Sequence, residues 1–181
     1  GSTSTAIPYG NSIAKGKSLD ALKTAGIVDA NGVVTKSYDA ANVALGGDWR
    51  LPTKADVEAM VTNCTVTSKT IDGVKGVEVR GKGAFVNNAI FLPQSGYVES
   101  SNGSQNNKGG QTYYLTATPV GNTTQYSCLR VDTAAVAAGT AGLNNGYQIR
   151  PVRDTVPSTP TETVDWDHPE VTISTGVTAG T

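Results

Sequence analysis

The dipeptide Asp72-Gly73 separates two runs of alternating character, Thr65-Val66-Thr67-Ser68-Lys69-Thr70-Ile71 and residues 74–80. Both central positions of a tight hairpin turn need positive φ, and Asp-Gly tolerates it, so this point predicts an antiparallel ribbon. Immediately upstream the period is different. The Thr53 hydroxyl can cap the amide of Asp56 or its neighbour, and Asp56 favours the positive end of a helix. Ala55, Val57, Ala59, Met60 and Val61 carry that helix to about Asn63. A chain that passes from period 3.6 to period 2 and then stays there predicts an α+β fold.

Other signals fill in the order of elements. Ser18 caps a short helix through Leu19 and Leu22 that Gly26 stops. Asp29-Ala30-Asn31-Gly32 predicts a turn between Ile27-Val28 and Val33-Val34, and a second helix is expected from Ser37 to Leu45, closed by Gly46-Gly47. Strands are expected at 89–92, 113–118, 125–132 and 147–152, with long loops at 96–111 and 133–145. Residues 1–5 read as a cloning scar and linker, 6–154 as one domain, and 155–181 as a Pro/Thr-rich tail or linker. Within that tail Val171 to Val177 is expected to add as an extended strand to this domain or a neighbour.

Composition removes several classes. With 14 Lys+Arg against 15 Asp+Glu, a net charge of −1 and a pI near 5.8, there is no electrostatic footprint for nucleic acid or an anionic membrane. The longest apolar runs, such as 134–138, are far too short to span a bilayer. One His and two Cys do not make a zinc site, and no calcium-loop spacing occurs, so neither metal nor cofactor is expected. The charged fraction of 16% is low, and Gly, Ser, Thr and Asn fill the deficit, as in secreted or cell-surface β-rich domains. Cys64 and Cys128 are either a disulfide, if their Cα atoms approach within about 7 Å, or free structural thiols. A nucleophilic Cys needs a base, and the one His, His168, stands in the tail between Asp167 and Pro169. Neither Ser95 nor Ser127 has a nucleophile-elbow context, so the chain reads as non-catalytic.

A binding composition is more visible. Tyr97, Tyr113, Tyr114, Tyr126 and Tyr147 stand near Asn102, Asn106, Asn122, Asn144 and Asn145. Tyr faces stack on sugar rings or protein surfaces, while Asn supplies paired donors and acceptors. The competing reading is that strand tyrosines fill the core and loop asparagines serve turns. The ligand-binding candidates drawn from this set are Tyr97, Asn106, Tyr113, Asn122, Tyr126 and Asn144. Trp49, Arg50 and Arg150 suit instead a packed Trp and Arg arrangement tying the helix entry to the last strand.

Tyr38-Asp39-Ala40-Ala41-Asn42-Val43 followed by Gly46-Gly47-Asp48-Trp49-Arg50-Leu51-Pro52-Thr53 resembles the entry of the Fibrobacter succinogenes major paralogous domain family. Asn63-Cys64-Thr65, residues 89–93 with Gly96-Tyr97, Tyr113-Tyr114-Leu115 and residues 146–152 extend the resemblance, over roughly 38 to 153. It implies a C-type lectin-like fold: two main helices, a small twisted antiparallel sheet and long loops carrying the ligand site. It also implies an exported surface protein of a Bacteroidetes-type bacterium, acting in adhesion on a glycan or surface protein. Asp132-Thr133-Ala134 and Asp154-Thr155-Val156 resemble the O-glycosylation pattern of such exported proteins. The related formylglycine-generating enzymes use two nearby cysteines, whereas Cys64 and Cys128 lie far apart in sequence. The alternatives are a structural or assembly module of a larger surface protein or pilus with no small ligand, or a degenerate enzyme of that related type.

Overall fold

The computed structural model describes residues 14–154. Three short α-helices precede most of the strands. Helix α1 (Leu19–Thr24) begins where the Ser18 hydroxyl accepts from the Ala21 amide at 3.2 Å. Helix α2 (Ala40–Leu45) begins later than the expected Ser37, because Asp39 is the cap. One Asp39 oxygen accepts from the amides of Ala41 and Asn42, and the other from Leu51 at 2.8 Å, so this buried carboxylate is fully engaged by backbone. After the two-residue strand β1 (Trp49–Arg50), helix α3 (Lys54–Asn63) starts in a capping box of Thr53 and Asp56.

The expected ribbon is present. Strands β2 (Cys64–Ile71) and β3 (Val74–Gly81) pair antiparallel, with Ile71 opposite Val74, and the turn residues have φ of 49° at Asp72 and 76° at Gly73. Strand β4 (Ala89–Pro93) completes a three-stranded sheet after a single turn of 3₁₀ helix at Gly83–Phe85. The hairpin β5 (Tyr97–Val98) and β6 (Gln105–Asn106) follows, within a stretch expected to be loop. A second three-stranded sheet contains β7 (Thr112–Pro119), β8 (Gln125–Val131) and β9 (Val136–Gly142), in that order. Finally β10 (Val152–Arg153) pairs with β1. The architecture is α+β with antiparallel sheets, divided among several small sheets rather than one.

Strand β9 overturns the expectation of a loop at 133–145. Its residues, Val-Ala-Ala-Gly-Thr-Ala-Gly, have weak strand propensity, and pairing with β8 supplies what propensity does not. Small side chains also fit there, since a Cβ on Gly139 would lie 3.4 Å from both Arg130 and the Cys128 sulfur. The last expected strand is shorter than 147–152. Only Val152–Arg153 forms a strand, and Gln148 makes an isolated parallel bridge with Tyr114.

Two buried clusters hold these elements. Val57 of α3 packs with Val77, Val79 and Leu92 of the first sheet and with Tyr114, Leu129 and Val131 of the second. Leu19, Leu22, Ile27 and Val28 pack on Tyr126. Cys64 and Cys128 are both free thiols, which decides against the disulfide, and only Cys128 is fully buried. The expected Trp and Arg arrangement also changes partners. Arg153, not Arg150, lies over Trp49 at 5.8 Å from the ring centroid, while Arg50 bonds to Asp56 and Asp154. The expected strand at Val171 to Val177 lies outside the described residues.

Candidate functional site

Alternation along β7 separates two tyrosines that are adjacent in sequence. Thr112, Tyr114 and Thr116 point into buried surroundings, and Tyr113 stands half-buried on the opposite face. Two other segments are brought to it by backbone bonds. Gln148 donates to the Tyr113 carbonyl at 3.1 Å and accepts from the Leu115 amide at 3.0 Å, which sets Tyr147 beside Tyr113. Val98 and Gly146 exchange both backbone bonds at 2.9 Å, which sets Tyr97 beside Tyr147.

The three rings therefore meet from separate parts of the chain. Tyr113 is edge-on to Tyr97 and to Tyr147, with centroids 5.9 and 5.6 Å apart, and Tyr97 lies 5.9 Å from Tyr147 at a tilt of 34°. Polar contacts fix the cluster further. The Tyr113 hydroxyl donates to Gln111, whose amide donates to Asp132 at 2.6 Å, and Asp132 pairs with Arg130 at 3.1 Å. The Asn145 side chain donates to the Tyr147 hydroxyl at 3.2 Å and accepts from the Ser100 amide at 2.9 Å. Burial, the largest cause, pushes the Tyr113 and Tyr147 hydroxyls above their ordinary value, so both are neutral at physiological pH.

Beside the rings opens a pocket of about 390 Å³. Tyr97, Tyr113 and Tyr147 line it together with Ser100, Asn144 and Asn145. Thr140, Ala141 and Gly142 of β9 and Gln125 of β8 complete the lining. No charged side chain lines it.

Of the six residues singled out by sequence, Tyr97, Tyr113 and Asn144 meet here. Asn106 is opposite Tyr97 in the β5–β6 register but does not line the pocket. Asn122 is exposed in the β7–β8 turn and accepts from the Lys23 ammonium at 3.4 Å. Tyr126 is a correction: it is 0% exposed and its hydroxyl donates to the Gly32 carbonyl, so it serves the core. Tyr147, Asn145, Gln125, Thr140 and Ser100 were not among the six. Tyr147 and Asn145 belonged to the wider Tyr and Asn set, whereas Thr140 carried no signal because its strand was unrecognised.

No family model, curated protein or solved structure matches the chain. The functional reading rests on the site itself. Among the described residues no group of three or more His, Cys, Asp and Glu is placed to hold a metal ion, and no helix is long and apolar enough to cross a membrane. Burial raises the Cys128 thiol to about 11, which keeps it protonated and a poor nucleophile.

Proposed function

We propose that this chain is a non-catalytic binding module, exported and displayed at a bacterial surface, that engages a glycan or surface protein through the Tyr97–Tyr113–Tyr147 pocket. One observation carries the reading: three aromatic rings from separate segments converge on an open, uncharged pocket edged by amide and hydroxyl groups. Such a surface offers apolar faces and directional hydrogen bonds together, at low entropic cost in rigid side chains. The C-type lectin-like fold, and membership of the Fibrobacter succinogenes major paralogous domain family, belong to the same proposal. They are supported by the Trp49-Arg50-Leu51-Pro52-Thr53 helix entry and by the β1–β10 pairing of distant segments. Three α-helices in place of two main ones, and separate small sheets, are departures from the expected pattern.

A structural module with no small ligand is the second reading, favoured by the mutual contact of the three rings, which would also serve a small satellite core. The test is multivalent display of the chain on glycan and surface-protein arrays, comparing wild type with Tyr97→Ala and Tyr113→Ala. Binding that both variants weaken supports the binding module. Silence at high valency favours the structural one.

A further inference from the structure

The chemistry of the pocket narrows its occupant. An anionic sugar, sulfate or carboxylated peptide needs a cation at the contact surface, and the pocket lining offers none. Arg130, opposite Tyr113 on β8, is already paired with Asp132 at 3.1 Å, and Asp132 is held in addition by Gln111. Next to the lining residue Ser100, the Glu99 carboxylate accepts from the Ser100 amide at 3.2 Å, so the charge fixed there is negative.

A cationic occupant fits no better. A cage for an alkylammonium group holds aromatic faces around a cation, each centroid within about 6 Å of it. Here the rings touch one another instead. With centroids 5.6 to 5.9 Å apart, and Tyr113 at 76° and 70° to its neighbours, the space between them is filled by ring edges. What remains is a packed aromatic cluster in a pocket whose other lining residues are uncharged.

A neutral pyranose matches that combination. One face of the ring presents C–H groups to an aromatic surface, and its edge presents hydroxyls that both donate and accept, as the lining residues Asn144 and Ser100 do. The volume lies at the small end of the roughly 300–1,000 Å³ usual for ligand sites, which suits a terminal sugar more than a long segment of chain. We infer that the pocket takes the terminal ring of a neutral saccharide, stacked on the tyrosine cluster and hydrogen-bonded by lining groups such as Asn144 and Ser100, with no bridging cation. This inference rests on the binding-module reading above and specifies its ligand class.

The experiment scores adhesion of beads carrying the whole chain to bacterial and epithelial surfaces, in chelator throughout with a calcium arm beside it. Competitors are the methyl glycosides of glucose, galactose, mannose and N-acetylglucosamine, against glucuronic acid and N-acetylneuraminic acid. Two variants are compared with wild type: Tyr113→Ala, which removes one of the three rings, and Asn144→Ala, which removes an amide at an exposed position of the lining. The expected result is chelator-resistant adhesion displaced by at least one neutral glycoside and by neither acid, with apparent affinity falling roughly tenfold or more in each variant. Adhesion that both variants weaken, but that requires calcium or yields only to the acids or to no sugar, overturns the neutral-saccharide inference and leaves the binding module standing. Adhesion indifferent to both variants, or absent in wild type, overturns the binding module and the inference with it.

Discussion

The guanidinium of Arg50 bonds to the carboxylate of Asp56 at 2.7 Å, and the same Asp56 oxygen accepts from the Thr53 amide at 2.7 Å and hydroxyl at 2.8 Å. A single oxygen thus joins β1 to the start of α3, while Arg50 reaches on to Asp154 beyond β10. Burial pushes the Asp56 carboxyl up, but the bonds from Arg50 and Thr53 outweigh it and hold the group below its ordinary value. The folded state therefore binds protons less readily than the unfolded chain. The stability gained is present above the ordinary carboxylate value and is lost as pH falls through the lower folded one. Because the pair is partly exposed, Asp56→Ala is expected to cost only about 1 kcal/mol at neutral pH, chiefly through the capping box. Urea unfolding of both proteins should converge on acidification; a gap unchanged from neutral to strongly acidic pH would refute this account.

Tyr126 provides a test of the corrected site assignment. Its hydroxyl reaches the Gly32 carbonyl inside the cluster formed with Leu19, Leu22, Ile27 and Val28. Tyr126→Phe should cost about 1 to 2 kcal/mol by leaving that carbonyl unpaired, while pocket-dependent adhesion stays at the wild-type level. Tyr126→Ala should cost about 3 to 5 kcal/mol. Parallel chemical denaturation and adhesion measurements would expose an error if the Phe variant lost binding at full stability.

Cys128 is expected to be unreactive until the chain unfolds. Burial, opposed by the field of Arg130, raises its thiol from 9.0 to about 11, and burial together with the field of Asp29 raises Tyr126 from 10.0 to about 12. For such acids the folded state retains the proton that the unfolded chain releases. Their contribution is intact below the ordinary values and declines as pH rises through them toward the folded ones. Stability should accordingly fall between about pH 9 and 12, and a disulfide-exchange reagent near pH 8 should modify the half-buried Cys64 first and Cys128 only in urea. Rapid native labelling of both thiols would contradict the structure. Reductant should leave the melting temperature unchanged, since neither thiol is bonded.

Local chemistry was legible wherever one residue decides a backbone state. Thr53 with Asp56, Ser18, and Asp72-Gly73 each dictate a cap or a turn, and all three form as read. Strand β9 was not legible because Gly and Ala contribute little propensity, and its pairing depends on a partner elsewhere in the chain. The fate of individual tyrosines was hidden for a related reason. Register sets Tyr113 opposite Arg130 and Leu115 opposite Cys128, so Tyr113 and Tyr126 share a face of the second sheet. What differs is the cover: α1 and the segment after it close over Tyr126, whereas Tyr97 and Tyr147 meet Tyr113 and leave a pocket. No period in the sequence records which segment returns to which end of a sheet.

Gly96 links that tertiary cover to a single substitutable position. Its φ of 72° lies in the left-handed region, and an added Cβ would stand 1.9 Å from the Asn106 carbonyl oxygen and 2.8 Å from the Lys108 amide. Its own carbonyl accepts from the buried Thr112 hydroxyl at 2.8 Å, which fastens the start of β5 to β7. Gly96→Ala therefore meets both backbone strain and a clash with backbone that has no flexible end to yield. The expected cost exceeds about 1 kcal/mol, with the disturbance centred on the β5–β6 hairpin and thus on Tyr97. Hydrogen exchange should show lost protection at Val98 and Gly146, whose amides close the bridge beside the pocket, while Val77 and Leu129 in the main core remain protected. Adhesion should weaken in the same variant. If protection at Val98 and Gly146 persisted while the core amides opened, Gly96 would be serving global stability, and the coupling of this hairpin to the tyrosine cluster would be refuted.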